Sequence, residues 1–313
     1  MYSSVACEKY ELIPAAVVEN QDGALAKVAK GRYNGGSDGT GEEKGMQIHG
    51  KKITTIVSDL DGTLLGEKRE LDPAVFSLIA ELKRCGVAFV AASGRQYKNM
   101  HRMFAPAADE LPFICENGSL VVKADRTLYQ KCISRELAFT LLEDMLALPG
   151  VETIASSDRE LYAPASRKDF IRLMNESLKL ETCAVADYRM IPGEINKLSV
   201  WWPGGIPERE ERWFHDKYDA SLQVTDSGNG WLDFTARGAD KGTALRKLAE
   251  LEGFSLQETL CFGDSENDIP MFQACAVSYA METGREHVKR QADYLCKNVR
   301  DTLRGFLTEA LSA

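Results

Sequence analysis

A buried-strand pattern that runs directly into a pair of aspartates constrains this chain more than any other feature. Ile53-Thr54-Thr55-Ile56-Val57 is a short β-branched run, which is typical of a buried strand. Asp59 and Asp61 follow it, two residues apart, and Gly62 allows the backbone to turn sharply. Because ligands of open parallel sheets gather at the carboxyl ends of strands, this strand end is the expected place for chemistry.

Two carboxylates this close together repel each other unless a cation or a shared proton relieves them. Mg²⁺ accepts carboxylate and carbonyl oxygens and leaves room for a substrate phosphate. Asp and Gly are also ordinary turn formers, so Asp59-Leu60-Asp61-Gly62 alone is equally compatible with a solvated turn. The choice between these interpretations depends on the other polar clusters of the chain.

Strand and helix patterns alternate from Lys51 onward, which predicts a doubly wound, Rossmann-like parallel sheet of the α/β class. Asp72-Pro73 opens a helix, and Val87 to Ala92 is the next buried strand. A third strand, Pro112 to Cys115, precedes the turn Glu116-Asn117-Gly118, which favours a hairpin. The middle region has a different order of predicted strands and helices. The first pattern then resumes and includes the buried strand Thr259 to Gly263.

These patterns predict a core domain that is split by an inserted α/β cap domain. The core is expected at residues 51–124 and 227–313, and the cap at 125–226, where the sheet is expected to be more antiparallel. Gly228-Asn229-Gly230 is interpreted as the turn by which the chain returns to the core. Residues 1–50 are glycine-rich and polar towards their end, which is typical of a flexible extension.

Composition excludes several classes of protein. Hydrophobic residues make up 44% of the 313 residues and charged residues 27%, as in ordinary globular proteins. The net charge of −9 argues against a nucleic-acid partner, because the chain has no excess of cations with which to release counterions. The sequence has neither an apolar stretch of membrane-spanning length nor a secretory signal, so we expect a cytoplasmic protein with no membrane partner.

The eight cysteines contain no Cys-x-x-Cys pair, and Cys115 and Cys261 lie within apolar runs. This pattern indicates buried small side chains of a reducing compartment and not a disulfide framework.

Four polar clusters fall at the ends or starts of predicted core elements. They are Asp59 with Asp61, Ser93 with Gly94, Lys241, and Asp264 with Asn267 and Asp268. Phosphoryl transfer needs such parts, because its catalysis consists largely of positioning and of neutralising negative charge. One carboxylate can attack phosphorus while a second acts as general acid and base. Ser93 and the following N–H groups, together with Lys241, can hold phosphate oxygens.

Each cluster taken alone has a simpler interpretation. Ser93-Gly94-Arg95 could be a helix cap, Lys241 a solvated charge, and the segment from Gly263 to Asp268 an acidic turn or a weak calcium loop. Their joint occurrence, in this order and each at the edge of a core element, favours the phosphoryl-transfer interpretation.

These motifs resemble those of the haloacid dehalogenase-like hydrolase superfamily, specifically its Cof-like branch of capped phosphatases. The resemblance covers about residues 52–297 and rests on five segments: Asp59-Leu60-Asp61-Gly62-Thr63-Leu64, Ala92-Ser93-Gly94-Arg95, Ile114-Cys115-Glu116-Asn117-Gly118, Lys241-Gly242-Thr243-Ala244-Leu245 and Phe262-Gly263-Asp264-Ser265-Glu266-Asn267-Asp268. Two segments depart from the branch: Ala280-Met281-Glu282-Thr283-Gly284, and the region after Lys297. Both segments lie beyond the residues expected at the metal site, so they concern substrate access or local packing and not the chemistry.

The resemblance implies a role for each matching residue. Asp59 would be the nucleophile and Asp61 the general acid and base. Mg²⁺ would be held by Asp59, the main-chain carbonyl of Asp61 and Asp264, with Asp268 supporting the metal site. The expected phosphate contacts are Leu60, Ser93, Gly94, Lys241 and Asn267.

Substrate contacts are harder to assign from the sequence. Arg95, Asn117 and Lys197 are the candidates, although Lys197 is equally compatible with an exposed charge at the end of a cap strand. Trp201 and Trp202 could form part of the cap core or a platform on which a sugar stacks.

The sequence thus predicts a Mg²⁺-dependent phosphatase of small phosphorylated metabolites that works through an aspartyl-phosphate. Sugar phosphates are the first expectation, with flavin mononucleotide or pyridoxal phosphate as others. Two alternatives stay open: a phosphomutase or phosphotransferase of the same fold, and a metabolite-binding regulatory protein with little turnover.

Overall fold

The computed structural model describes residues 45–66, 69–158 and 160–312. The strands are β1 (Met46–Ile48), β2 (Lys51–Ile53), β3 (Thr55–Asp59), β4 (Ala88–Ala92), β5 (Pro112–Cys115), β6 (Leu120–Lys123), β7 (Arg126–Gln130), β8 (Glu152–Ser157), β9 (Leu161–Pro164), β10 (Thr182–Val185), β11 (Ile195–Trp201), β12 (Leu222–Gly228), β13 (Trp231–Ala236), β14 (Thr259–Gly263), β15 (Val277–Met281) and β16 (Tyr294–Cys296). The helices are α1 (Ala74–Arg84), α2 (Tyr97–Met103), α3 (Arg135–Leu146), α4 (Lys168–Arg172), α5 (Glu208–Tyr218), α6 (Lys241–Glu252), α7 (Ile269–Phe272), α8 (Glu286–Lys289) and α9 (Val299–Ser312).

The core domain is built on an eight-stranded sheet in the order β16-β15-β14-β3-β4-β5-β6-β7. The strands from β16 to β5 are parallel, and β6 and β7 add an antiparallel edge. One face packs apolar side chains of α1, α2 and α9, such as Leu78, Met100 and Leu303. The other face packs those of α6 and α7, such as Leu245 and Met271. This arrangement confirms the predicted doubly wound α/β class.

The cap is a second sheet of six strands, in the order β10-β9-β8-β11-β13-β12. It is antiparallel except for the pair of β9 and β10. Helices α3 and α5 cover one face through buried side chains such as Leu141 and Phe214, whereas Phe170 and Met174 cover part of the other face. The predicted antiparallel character of this region is therefore observed.

The domain boundaries differ from those expected from the sequence. Strand β7 completes the core sheet, so the cap begins after Gln130 and not at 125. Strand β13 pairs with β11 and β12, so the cap ends after Ala236 and not at 226. The physical reason is that Gly228-Asn229-Gly230 closes a hairpin inside the cap and does not connect the two domains.

The N-terminal boundary also shifts. Strand β1 pairs with β2, and Met46 and Ile48 are buried against the core, so the folded part begins before residue 51. The expectation of a flexible extension falls on residues 1–44, which lie outside the described residues. Among the residues that the structure describes, no helix has both the length and the apolar character needed to cross a bilayer.

Candidate active site

Three neighbouring core strands bring the predicted polar clusters to one edge of the sheet. Strand β3 lies between β14 and β4, and all three run in the same direction. Asp59 ends β3, Ser93 follows β4 and Asp264 follows β14, so parallel pairing alone places them side by side. Strand β3 is buried throughout its length, and Asp59 at its end is only 5% exposed.

A wholly buried lysine lies at the centre of this edge. Lys241 is the first residue of α6, and its Nζ donates to Asp59 Oδ1 and to Asp268 Oδ1, both at 2.6 Å. Burial alone would lower the pKa of Lys241, but the carboxylates of Asp268 and Asp59 outweigh it and raise the pKa above its usual range. Lys241 is therefore a permanent ammonium.

Asp268 fixes the loop that carries Asp264. Its Oδ2 accepts the main-chain N–H groups of Asp264 (2.9 Å) and Ser265 (3.0 Å), which leaves Oδ1 for Lys241. Asp264 in turn accepts from the hydroxyl of Thr63 at 3.0 Å, which ties this loop to the turn after β3. These bonds hold two loops from distant parts of the chain in one arrangement.

Carboxylate oxygens of Asp59, Asp264 and Asp268 lie within 4.8 Å of one another. Burial raises the pKa of Asp59, with further contributions from the charges of Asp268 and Asp264 that Lys241 opposes. The pKa of Asp264 is raised for the same reason, burial first and the Asp268 charge second. The raised pKa values indicate that the one ammonium of Lys241 does not balance the three carboxyl groups, and the donor atoms are all oxygen. This set fits a hard divalent cation.

Gly62 is required for this geometry. Its φ is +83°, and a Cβ at this position would strike the carboxylate of Asp264. Only glycine allows both the left-handed backbone and the close approach of the two loops.

Asp61 is held by Arg95. The guanidinium donates from Nε to Asp61 Oδ2 and from Nη2 to Oδ1, both at 2.6 Å, while Nη1 donates to Asn99 Oδ1 at 2.9 Å. Burial would raise the pKa of Asp61, but these hydrogen bonds and the charge of Arg95 lower it. In this arrangement Asp61 is a carboxylate in a bidentate ion pair.

The loop after β4 supplies the remaining predicted phosphate contacts. Ser93 is 2% exposed, and its hydroxyl accepts the N–H of Arg95 at 3.1 Å. Asn267 Nδ2 donates to Asn117 Oδ1 at 3.0 Å. The side chain of Leu60 is buried in the apolar core, so only its main chain can face a ligand.

The cap reaches this edge through Lys197. Its Nζ donates to the carbonyl of Gly94 at 2.7 Å and lies 2.9 Å from Glu116 and 3.3 Å from Asp233. Burial would lower the pKa of Lys197, but Asp233 and Glu116 raise it. Lys197 is thus a buried ion-pair partner that joins cap and core, not an exposed charge.

Sequence reasoning did not select Glu116 or Asp233 as site residues. Glu116 has a φ of +51°, is fully buried and accepts a hydrogen bond from Ser156 of the cap. Asp233 lies on β13 and accepts from Ser199 (2.6 Å), Ser227 (2.8 Å) and Asn117 (3.1 Å). The available signal was the alternation along β13, which makes Asp233 a polar residue on one face of a cap strand.

Trp201 and Trp202 pack in the cap. Trp202 is 7% exposed and lies in the cluster beneath α3 and α5. Trp201 stacks against Phe170 and Trp231, with ring centroids 5.8 and 5.6 Å apart.

The fold and the site together define a class of protein: a capped α/β enzyme with an acidic site at the edge of a parallel sheet. The family model for haloacid dehalogenase-like hydrolases matches residues 56–303. The chain belongs to the haloacid dehalogenase-like hydrolase family.

Known relatives and structures agree with this assignment. The chain is 28% identical over 243 residues to the 5-amino-6-(5-phospho-D-ribitylamino)uracil phosphatase of Escherichia coli, which covers 77% of this chain and 90% of that protein. It is 25% identical over 264 residues to the pyridoxal phosphate phosphatase of Escherichia coli, which covers 80% and 96%. The solved structure of a sugar phosphatase of haloacid dehalogenase (HAD) subclass IIB shares the fold, with a TM-score of 0.69. Its sequence is 20% identical to this one, and the match covers 81% of this chain and 99% of that chain. The chain is accordingly an enzyme of the phosphatase type within its family.

Proposed function

We propose that this protein is a Mg²⁺-dependent phosphatase of small phosphorylated metabolites that works through an aspartyl-phosphate. The observation that carries the proposal is the arrangement of Asp59, which is buried at a strand end, bonded to Lys241 and adjacent to Asp264 and Asp268. The uracil-derivative and pyridoxal phosphatases of Escherichia coli, named above as relatives, support the choice of substrate class.

Asp59 is the proposed nucleophile. Its Oδ1 accepts from Lys241, so Oδ2 is the oxygen that attacks phosphorus. The bond between phosphorus and the ester oxygen breaks. Asp61, which has to leave its ion pair with Arg95 and take up a proton from solvent as substrate binds, donates that proton to the departing alcohol. Water then attacks phosphorus of the acyl phosphate, and the Asp61 carboxylate accepts a proton from that water. The bond to Asp59 breaks, inorganic phosphate leaves, and both carboxyl groups return to their starting forms.

The other residues hold the phosphate in place. The main-chain N–H of Leu60, the loop of Ser93 and Gly94, and the side chains of Lys241 and Asn267 are the proposed contacts. When bound, Mg²⁺ would lie among Asp59, the main-chain carbonyl of Asp61 and Asp264, and would neutralise charge on the phosphate and the carboxylates. Asp268 supports this site by holding Lys241 and the Asp264 loop.

Phosphate release from a panel of phosphorylated metabolites tests this proposal. We expect release with Mg²⁺, and a loss of at least ~10³-fold with EDTA or in Asp59→Asn, since a residue that forms the covalent intermediate has no substitute. Asp169→Asn is the matched control, because this cap carboxylate is 93% exposed and lies outside the site.

The outcomes also separate the alternatives. Phosphate that appears on an acceptor sugar and not in solution would indicate a phosphotransferase. Activity that survives in Asp59→Asn would refute the proposed nucleophile. A folded protein that binds Mg²⁺ but turns over no member of the panel would indicate a regulatory role.

A further inference from the structure

The face of the cap sheet that reaches the core is divided into a polar half and an aromatic half. On β11 the side chains alternate, so Lys197, Ser199 and Trp201 share one face, and on β13 Asp233 pairs with Ser199. The aromatic half belongs to the apolar cluster of Trp201 and Trp231 with Phe170. Trp201 lies four residues from Lys197 along the strand, or ~13 Å.

The polar half is connected to the proposed phosphate contacts by two hydrogen bonds. Asn117 accepts from Asn267 at 3.0 Å and donates to Asp233 at 3.1 Å. Lys197 donates to the carbonyl of Gly94, inside the loop proposed to hold phosphate. We therefore expect the organic group esterified to that phosphate to extend beside Asp233 and Lys197, and away from the stacked rings.

The charge of this polar half is unbalanced. Two carboxylates, Glu116 and Asp233, are at most 6% exposed and share one ammonium, that of Lys197. Arg95, the nearby guanidinium, is already committed to Asp61. The charge of Arg69 also lowers the pKa of Asp61, but the side chain of Arg69 is exposed to solvent. The half consequently carries one excess negative charge in a place where water screens charge poorly.

Neutral hydroxyl groups suit these surroundings and carboxylates do not. A hydroxyl both donates and accepts, so it can donate to Asp233 or Glu116 while it accepts from Asn117 or Lys197. A carboxylate only accepts, and it would be a third negative charge beside two that are buried.

We propose that Asp233 is a specificity-determining residue that makes the site favour phosphate monoesters of neutral, hydroxyl-bearing alcohols over those that carry a carboxylate. This inference rests on the proposed phosphatase function, and it adds a preference for substrates whose leaving alcohol carries no negative charge. Glu116 contributes to the same discrimination, and Lys197 keeps both carboxylates in place.

Two substrates that differ at one carbon test this inference. Sorbitol 6-phosphate and 6-phosphogluconate have the same six-carbon chain and the same phosphate position, but the far end is a hydroxymethyl group in one and a carboxylate in the other. We expect kcat/KM to favour sorbitol 6-phosphate by at least about tenfold in the unaltered protein, through like-charge repulsion at a buried site. Asp233→Asn should bring the ratio down to about one, chiefly by lowering KM for 6-phosphogluconate.

Asp219→Asn is the matched control. This carboxylate contacts His215 on the outer side of the cap, so its removal changes the net charge equally and should leave the ratio unaltered. Glu116→Gln provides a second variant if Asp233→Asn does not fold, and it should lower the ratio in the same direction. A ratio near one in the unaltered protein, or an unaltered ratio in both site variants, would overturn the inference.

A protein that is not a phosphatase would be recognised by a separate measurement. p-Nitrophenyl phosphate, whose leaving group carries no carboxylate, reports general activity in the same assay. If it is not hydrolysed, the rise in Tm that each of the two six-carbon phosphates produces still measures their binding. The inference is supported if sorbitol 6-phosphate raises the Tm of the unaltered protein more than 6-phosphogluconate does and if Asp233→Asn removes this difference. Equal rises in the unaltered protein contradict it.

Discussion

At the scale of the residue, one ammonium holds the site together. Lys241 is wholly buried between Asp59 and Asp268, so bulk solvent does not screen its charge. Buried ion pairs of this kind contribute little net stability compared with an apolar replacement of the whole group, but removing one partner leaves the others uncompensated.

Lys241→Met should therefore destabilise the protein strongly. We expect the free energy of unfolding to fall by ~3–5 kcal/mol in EDTA, because Asp59 and Asp268 would lose their only shared cation among the described contacts. Urea denaturation followed by circular dichroism measures this change.

Lys247→Met on the same helix is the matched control. Its ammonium pairs with Glu250 at 3.1 Å near the surface, so we expect a change within ~0.5 kcal/mol. Equal losses in the two variants would contradict a special role for the buried lysine.

At the scale of the element, close approach of helices positions Lys241. Gly242 follows it in α6, and a Cβ at Gly242 would strike the carbonyl of Pro270 in α7. The first turn of α6 is held further by Asp240, which accepts the N–H of Thr243 at 2.8 Å. The absence of a side chain at Gly242 thus allows α6 and the Asp268 loop to meet.

Gly242→Ala should destabilise the protein by ~1–3 kcal/mol, since the added methyl group forces the two helices apart. Gly305→Ala in α9 is the opposite case: the glycine is exposed, nothing lies within 4 Å of its Cβ position, and alanine is the better helix former. We expect Gly305→Ala to stabilise by ~0.5–1 kcal/mol. Thermal unfolding of both variants would show opposite shifts in Tm, and shifts of the same sign would refute this account of Gly242.

Most of the core domain could be predicted from the sequence, because the core strands are short apolar runs that end at polar or glycine residues. The sequence did not predict β9 or β10, since Leu161–Pro164 and Thr182–Val185 lack a distinct alternating pattern. It placed β13 in the wrong domain, because a glycine-rich turn has the same composition within a hairpin as between domains.

The same limit applies to the site. Residues near a motif, such as Asp59, Asp264 and Lys241, could be proposed from local sequence. Asp233 could not, because its contact with Asn117 joins residues 116 positions apart and belonging to different domains. Such contacts depend on how the cap sits on the core, which no local pattern specifies.

At the scale of the whole molecule, the cap covers the site and meets the core at several places. Beside the central contact of Lys197, Arg102 of α2 pairs with Glu181 of the cap at 2.5 Å. Arg285 of the core lies 3.9 Å from Asp226 of the cap. The outer pairs are partly exposed and add little stability, whereas the central pair is desolvated. This arrangement would exclude water from a phosphoryl-transfer step.

Asp59 is proposed to become phosphorylated during turnover, and trapping the phosphorylated protein is the direct test. Asp61→Asn keeps the nucleophile but removes the base that activates water, so the covalent species should accumulate. p-Nitrophenyl phosphate is the suitable donor, because its phenolate leaves without a proton from Asp61. Acid quenching followed by mass spectrometry locates the adduct.

We predict that Asp61→Asn with Mg²⁺ gains the mass of one phosphoryl group on the peptide that contains Asp59, and that Asp59→Asn gains none. An adduct on another residue, or a release of p-nitrophenol with no covalent adduct at any time, would contradict the account.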